Sequence, residues 1–533
     1  MIRLTDLRFP AEGGAPQPPR IIKKAARLLK IRPADIKSAV IRRKSIDARD
    51  KGNVLYVVTA DIELLLPEKD GFFRLRGASR PPEPPEFIIK KAAAGRTRPV
   101  IAGAGPAGLF CALALGRAGL APIILERGRD ADARARDVAR FFETGELDPE
   151  SNVQFGEGGA GTFSDGKLTC GTNNPLIPFV LRTFADFGAP GEVLTDAKPH
   201  IGTDNLTVIV KNIRREIERL GGEIRFRNKF TRLELLRGRV AGVYALEEPG
   251  GEYFIETDAF VLAAGHSARD TARTLRAQGA EMAAKPFSAG FRIEHRREYI
   301  DRLMYGRFAG KLPAADYKLS ARLRDGRGAY TFCMCPGGEV IAAASEAGGL
   351  CVNGMSRFAR ASENSNSAVL ISLAPADFVR EGPLDGLDFA RKLEETAFRA
   401  GGGDFLAPAA RLGDFLARRD CAGFGEVTPS YKPGAVPVNF YDFFDGKFLD
   451  AAAEAILAMD AKAPGFAFPE AALTGVETRS SSPVTILRGA GRQSSLGGLF
   501  PCGEGAGYAG GIVSSAIDGL RTAEAVAALI GGG

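Results

Sequence analysis

The stretch PVIAGAGPAGLFCALALGRAGLAPIILERG at 99–128 runs from an apolar, β-rich segment through a glycine turn into a helix, and out into a second apolar strand. A strand, helix and strand within so few residues form a βαβ unit, which belongs to a parallel sheet. Its three glycines have separate duties. Gly103 permits the tight turn, Gly105 lets a pyrophosphate approach the backbone, and Gly108 packs helix against strand. Pro106 and Ala107 open the helix, whose free amides and dipole face the diphosphate. Glu126 ends the second strand 23 residues after Gly103, where an acid reaches ribose hydroxyls, and Arg127 follows it. A dinucleotide site is the implication.

The βαβ unit alone does not separate NAD from FAD. The C-terminal stretch GGLFPCGEGAGYAGGIVSSAIDGLRTAEAVAAL reads as a strand ending at Cys502, a glycine turn carrying Gly503 and Glu504, and a final helix after Gly510, Gly511 and Ile512. This resembles the closing motif of flavoproteins of the glutathione reductase and aromatic hydroxylase type. In those families an acid, usually Asp, binds the ribityl chain, and the last helix points its N-terminus at the pyrimidine ring of the flavin. The acid here is Glu504, one methylene longer. A positive helix end beside flavin N1 and O2 favours the anionic reduced flavin. GAGYAG at 505–510 also fits GxGxxG, but too little chain follows it for a second strand. A further piece lies between the two motifs. FIETDAFVLAAG is a strand running into Ala264 and Gly265, and Phe230 sits where such families touch the adenine with backbone.

The rest of the chain bounds the architecture. Apolar residues make up 45% and charged residues 25% of 533, which excludes a disordered chain, and no apolar run is long enough to cross a bilayer. The 65 glycines have no collagen-like period and point to many turns. MIRLTDLRFP lacks the apolar core of a secretory signal, and seven scattered cysteines suit reduced thiols, so a cytoplasmic protein is expected. Residues 1–98 hold 22 basic and 11 acidic side chains, whereas the whole chain holds 71 and 64. All of the net positive charge is therefore N-terminal. That segment reads as a small α/β unit: a strand at 1–9, a helix at 20–29, and strands at 38–45 and 54–66. A proline-rich linker at 77–99 follows. The excess charge is read as a solvated lysine-rich surface, with nucleic-acid docking as the alternative.

Longer strings narrow the kinship. SIDAR at 45–49, FGEGGAGTFSDGKL at 155–168, FCMCPGGEV at 332–340, NGMS at 353–356, SSSPVTILR at 480–488 and GEGAGYAGGI at 503–512 resemble the bacterial family of uncharacterised FAD-dependent dehydrogenases. The fold class implied is α/β: a Rossmann-like FAD-binding domain closed by the C-terminal helix, an inserted α+β substrate domain and a small N-terminal α/β domain. The boundaries expected are 1–94 for the basic unit with its linker, 95–284 and 481–533 for the two parts of the FAD domain, and 285–480 for the insertion. The resemblance implies no particular substrate.

Within this frame the loop at 156–162 is where related flavoproteins wrap the cofactor. Gly158, Gly159 and Gly161 give backbone access, Thr162 and Ser164 offer hydroxyls, and Lys167 offers a cation near flavin N1 or N5. Cys333 and Cys335 occupy alternate positions of a strand, so both thiols are expected on one surface, either as a redox or nucleophilic pair beside the flavin or as two small buried hydrophobes. No ligand set has metal spacing. Of the three histidines, His266 follows the AAG turn, whereas His200 and His295 have no motif around them. Arg479, Ser480, Ser481 and Ser482, with Asn353 and Ser356, are candidates for meeting an anionic substrate. The function expected is an FAD-dependent oxidoreductase moving a hydride between a small-molecule substrate, or NAD(P)H as a transient donor, and flavin N5. The alternative is a flavin-containing protein whose N-terminal unit docks RNA, as in flavin-dependent tRNA modifiers. Oligomeric state is left open.

Overall fold

The computed structural model describes every residue except 84, 92–96, 172 and 532–533. The N-terminal unit is a four-stranded antiparallel sheet in the order Ile36–Asp47, Leu55–Leu64, Ile2–Pro10, Ala78–Ser79, with the helix Pro18–Leu29 packed on it. That helix forms because Ile21, Ala25, Ala26 and Leu29 fall on one face, prolines occupy its first turn, and Lys30 ends it in the left-handed conformation.

Two expectations about this unit need correction. The segment after it is not a free linker: Ala78–Ser79 closes the sheet, Arg182 donates to the Pro85 carbonyl, and Phe87 packs on Phe179 in the next domain at 5.6 Å. Pro84 and the boundary at 94 lie outside the described residues. Nor is the unit separate. Its buried residues belong to one apolar cluster that continues through Tyr305 and Phe308 to Phe287 and Phe291, and the Lys44 backbone pairs with Thr195 and Ala197. A minority of its cations pair with neighbouring acids, and the excess positive charge remains. Arg3 and Arg42 share Asp61, Lys37 meets Glu63, Lys44 meets Asp196 and Arg49 meets Asp47.

The second layer is a parallel five-stranded sheet in the order Leu499–Pro501, Phe260–Leu262, Val100–Ala102, Ile123–Glu126, Glu223–Phe226. The chain's last strand thus lies beside strands made some 240 and 400 residues earlier, as a Rossmann-like sheet closed by the C-terminus requires. Helix Pro106–Arg117 and the final helix Ile512–Gly531 pack so closely that a Cβ on Gly519 would meet the Ala107 carbonyl at 2.2 Å. A three-stranded antiparallel sheet, 228–256, flanks this layer.

The third layer is a seven-stranded sheet built from residues 287–477. Its central strand, Phe287–Arg296, alternates strictly. Phe287, Ala289, Phe291 and Ile293 pack into the apolar core with helix Gly446–Asp460, while Ser288, Arg292 and Glu294 point to the opposite face. All of these are buried, so the second face is covered too: Arg292 reaches Asn353 and Asn366, and Glu294 accepts from Asn364 and Ser430, all within the same domain. Among the described residues no helix is long and apolar enough to cross a membrane.

Candidate functional site

Between the C-terminal ends of the parallel strands and the polar face of the seven-stranded sheet lies a cavity of about 690 Å³. That is where an open α/β sheet binds ligands. One end is a cradle of glycines. Gly108 is not part of its wall; a Cβ there would meet the Gly103 carbonyl at 1.9 Å, so it sets the helix against the turn. Gly105 does line the cavity, and a Cβ there would meet nothing nearer than the Gly159 Cα at 3.8 Å. The space beside Gly105 is therefore open to a ligand, and the amides of helix Pro106–Arg117 face it. Gly103, Pro106 and Ala107 complete this wall, and Gly159 and Gly161 stand opposite. The first turn of the final helix closes the far side with Gly510, Gly511 and Ile512. An extended dinucleotide fits this chain of residues: a helix terminus for the diphosphate, bare glycine backbone around it, and a second helix terminus beyond.

Other residues singled out from the sequence fall into two groups. Glu126, Arg127, Phe230, Ala264, Gly265, Ser164 and Glu504 line the cavity. Glu126 is more committed than a ribose ligand alone. Its Oε1 accepts from Gly128 N and Gly156 N, both at 2.9 Å, and its Oε2 accepts from Ala104 N at 2.8 Å, so only Oε2 keeps a lone pair for a hydroxyl. Arg127 lies over the Phe155 ring and is bound to Glu150 and Asp270. Gly158, Thr162 and Gly503 turn inward instead. Gly158 N donates to the Ala104 carbonyl, buried Thr162 donates to the Glu157 carbonyl at 3.4 Å, and Gly503 N donates to Asp518. These three shape the loops and do not reach the cavity.

A residue the motifs did not flag holds the glycine-rich loop in place. Arg134 is fully buried, and its guanidinium donates to the carbonyls of Asn152, Val153, Gly156, Glu157 and Gly159. Burial pulls its pKa down to about 10. The sequence carried a trace of this role: Ala131, Arg134, Val138 and Phe141 share the buried stripe of helix Ala131–Thr144, and an arginine interrupting an apolar stripe needs internal partners.

The opposite end of the cavity carries titratable groups. Lys167 lies on the wall with its Nζ 3.1 Å from buried Asp165 and donating to the Met334 carbonyl. Burial disfavours the ammonium, but Asp165 and the two thiols outweigh it and its pKa is raised. Asp165 is held in turn by Arg360 and Ser356. The expectation that Cys333 and Cys335 share one surface is corrected: the strand Gly328–Cys335 is bulged between Phe332 and Cys335, only Cys333 reaches the cavity, and Cys335 is buried behind it. Arg479 is not free for an anionic substrate. It forms a bidentate pair with Glu394, which Arg269 shares, and donates to Ser345. Ser480 lines the cavity but donates to the Ser288 carbonyl, and Ser482 to that of Val484. Asn353 lines the cavity and accepts from Arg292. His266 lies on the wall as a neutral imidazole, pulled to about pKa 4 by burial and by Arg479 and Arg269. His200 is stacked on Phe358, and His295 is buried against Phe466. Burial pushes Glu504 up to about 7, against the pull of Lys285 and with the help of Cys333. Among the described residues no group of three or more His, Cys, Asp and Glu is placed to hold a metal ion.

Known proteins resemble this chain in sequence. Residues 286–480 match the family model described as FAD-dependent protein, C-terminal domain-like, and residues 1–63 match a domain of unknown function. An uncharacterized protein from Clostridium beijerinckii is 43% identical over 517 residues, covering 94% of each chain. Among solved structures, the chain is similar to the glycerol-3-phosphate dehydrogenase from Bacillus halodurans complexed with FAD, at 12% identity, TM-score 0.37, and 81% and 64% of the two chains. It is also similar to a geranylgeranyl bacteriochlorophyll reductase-like protein from Thermoplasma acidophilum, at 12% identity, TM-score 0.37, and 81% and 78% coverage.

Proposed function

Since this chain belongs, with its Clostridium beijerinckii relative, to the bacterial family of uncharacterised FAD-dependent dehydrogenases, we propose that it transfers a hydride between a small molecule and the flavin in the cavity described above, with NAD(P)H as a transient donor. One observation carries this reading. The glycine cradle and the cluster of Lys167, Cys333 and Glu504 are two ends of the same cavity, so a cofactor stretched from Gly105 brings its reactive ring to groups that can manage charge and protons. FAD, when bound, supplies a two-electron acceptor and donor at N5. Everything else falls to the chain's own residues.

Glu504, poised near neutrality, holds a proton below about pH 7 and releases it above. The first turn of helix Ile512–Gly531 offers free amides and a positive dipole end to developing negative charge. Lys167 is fixed by Asp165 and a backbone carbonyl, and it keeps a positive charge at the cavity wall without a mobile side chain. The seven-stranded sheet walls the cavity on its other side with Thr331, Phe332 and Cys333.

The test is anaerobic mixing of the purified yellow protein with NADH and with NADPH, followed by a screen of small metabolites for reoxidation. Bleaching by one nucleotide and recovery with a metabolite class supports the proposal. Protein that carries no FAD after purification and reconstitution removes its basis.

A further inference from the structure

We propose that Cys333 and Cys335 form a redox-active dithiol that exchanges an electron pair with the flavin and serves a small disulfide as substrate. The inference rests on FAD occupying the cavity as proposed above.

The geometry begins with the backbone. In a regular strand, side chains two residues apart are separated by about 6.6 Å along the chain and run parallel. Here the pairing register shifts between Phe332 and Cys335, and Cys333 has a φ of 41°, in the left-handed region that a cysteine rarely adopts. The bulge turns Cys333 into the cavity and lets the Cys335 thiol, buried behind, face both the Cys333 carbonyl at 3.2 Å and the Cys333 sulfur.

Cations complete the setting. Arg292, fully buried, places Nη1 at 3.2 Å from the Cys333 carbonyl and 3.9 Å from the Cys335 sulfur. Lys167 donates to the carbonyl of the intervening Met334. The S–H of Cys335 is the largest influence drawing Cys333 down to about pKa 5; burial opposes it, and Lys167 and Arg292 add to it. Cys333 is thus drawn toward the thiolate, and Cys335 toward the protonated thiol behind it. Other cysteines behave oppositely. Burial pushes Cys351 and Cys502 up to about 12 and Cys111 well above its ordinary value, which leaves them inert.

A thiolate on the wall with a thiol behind it is suited to disulfide exchange. The Cys333 thiolate attacks one sulfur of a small disulfide, forming a mixed disulfide and expelling a thiolate. Cys335 then attacks the Cys333 sulfur; its S–H bond breaks, the mixed S–S bond breaks to release the second thiolate, which takes that proton, and the Cys333–Cys335 bond forms. FAD, when bound and reduced, would supply the two electrons that reopen the S–S bond, leaving Cys333 as thiolate and Cys335 protonated by the accompanying proton. NAD(P)H, the donor named above, supplies the electrons.

The experiment uses the full-length, flavin-loaded protein under anaerobic conditions, with hydroxyethyl disulfide as probe. Thiols are counted by alkylation and peptide mass spectrometry before and after the probe, and the disulfide-treated protein is titrated with dithionite. We expect residues 333 and 335 to lose both alkylation sites, and the titration to consume one electron pair beyond that of the flavin. Cys335→Ser is expected to trap the probe on Cys333 as a mixed disulfide, read as its added mass on that peptide. Iodoacetamide labelling of Cys333 is expected to be half-maximal below the pH of an ordinary thiol and to move upward in Cys335→Ala. The proposal is overturned if Cys333 and Cys335 stay alkylatable after the probe and the titration stops at the flavin's own pair. Colourless protein in which the 333–335 pair still closes would overturn the cofactor reading while supporting the exchange step.

Discussion

At Gly105 an added Cβ has room in the protein and none beside a ligand, since its nearest neighbour is 3.8 Å away and the space it enters belongs to the cavity. Gly105→Val is therefore expected to purify folded, with an unchanged circular dichroism melt and at least about tenfold weaker FAD retention, a loss of roughly 1.4 kcal/mol or more. Gly108→Ala is the contrasting case, because its Cβ would meet a carbonyl at 1.9 Å and the helix could not seat. Flavin retained in Gly105→Val would show that the cofactor does not pass this turn. Glu504 offers a second test at the same scale. With its pKa near 7, its carboxylate form appears as pH rises through that value and disfavours extra negative charge nearby. The flavin midpoint potential, followed by spectroelectrochemistry, should fall more steeply with pH around 7 in the wild type than in Glu504→Gln. Identical slopes would mean that Glu504 does not face the ring.

The loop at 152–159 is shaped less by its glycines than by a single side chain from a neighbouring helix. Five carbonyls converge on Arg134, and removing it leaves several of them buried without a donor. Each such group costs about 1–3 kcal/mol. Arg134→Met is expected to loosen the loop by at least about 3 kcal/mol, read as faster amide exchange across 152–159 and reduced FAD content. Arg134→Lys should fare little better, because a single ammonium cannot span a set of carbonyls arranged for a planar fork. Exchange unchanged in both variants would show that the loop holds itself. At the same scale, the strand Gly328–Cys335 shows why alternation alone misplaced the thiols: one bulge reverses the facing of the residues beyond it, and bulges carry no reliable mark in sequence.

Contacts between layers hold the molecule together as a whole. Arg269 from the parallel-sheet layer, Glu394 from the helix Asp385–Ala400, and Arg479, just past the end of the interior strand Ala472–Glu477, meet in one buried network. Burial opposes the Glu394 charge, but Arg479 and Arg269 outweigh it and hold its pKa far below the usual carboxylate range. Because the folded value is depressed, this stabilisation is complete above the unfolded value near pH 4.3 and is lost as pH falls toward the folded one. Glu394→Gln should cost about 3–5 kcal/mol at neutral pH in denaturant unfolding. It should also lose less further stability than the wild type between about pH 5 and pH 3. The N-terminal unit is bound in the same manner. Deleting residues 1–80 uncovers the cluster that includes Tyr305, Phe308 and Phe287, so the truncated chain is expected in the insoluble fraction. Soluble, yellow truncated protein would show that the shared core is dispensable.

How much was legible in the sequence depends on the range of the interactions. The glycine turn, Glu126 at the strand end, the C-terminal motif and the apolar spacing of helix Pro18–Leu29 are written within stretches of about thirty residues, because a βαβ unit or a helix meets its own constraints locally. Those stretches determined a Rossmann-like fold and an FAD cofactor. The tertiary structure alone decided that Arg134 grips a loop, that Arg479 is neutralised by Glu394, that Cys333 faces the cavity while Cys335 does not, and that the basic unit shares its core with the seven-stranded sheet. Each of these joins side chains through packing or a bulge, and neither the partner of a buried charge nor the facing of a bulged strand can be read from local spacing.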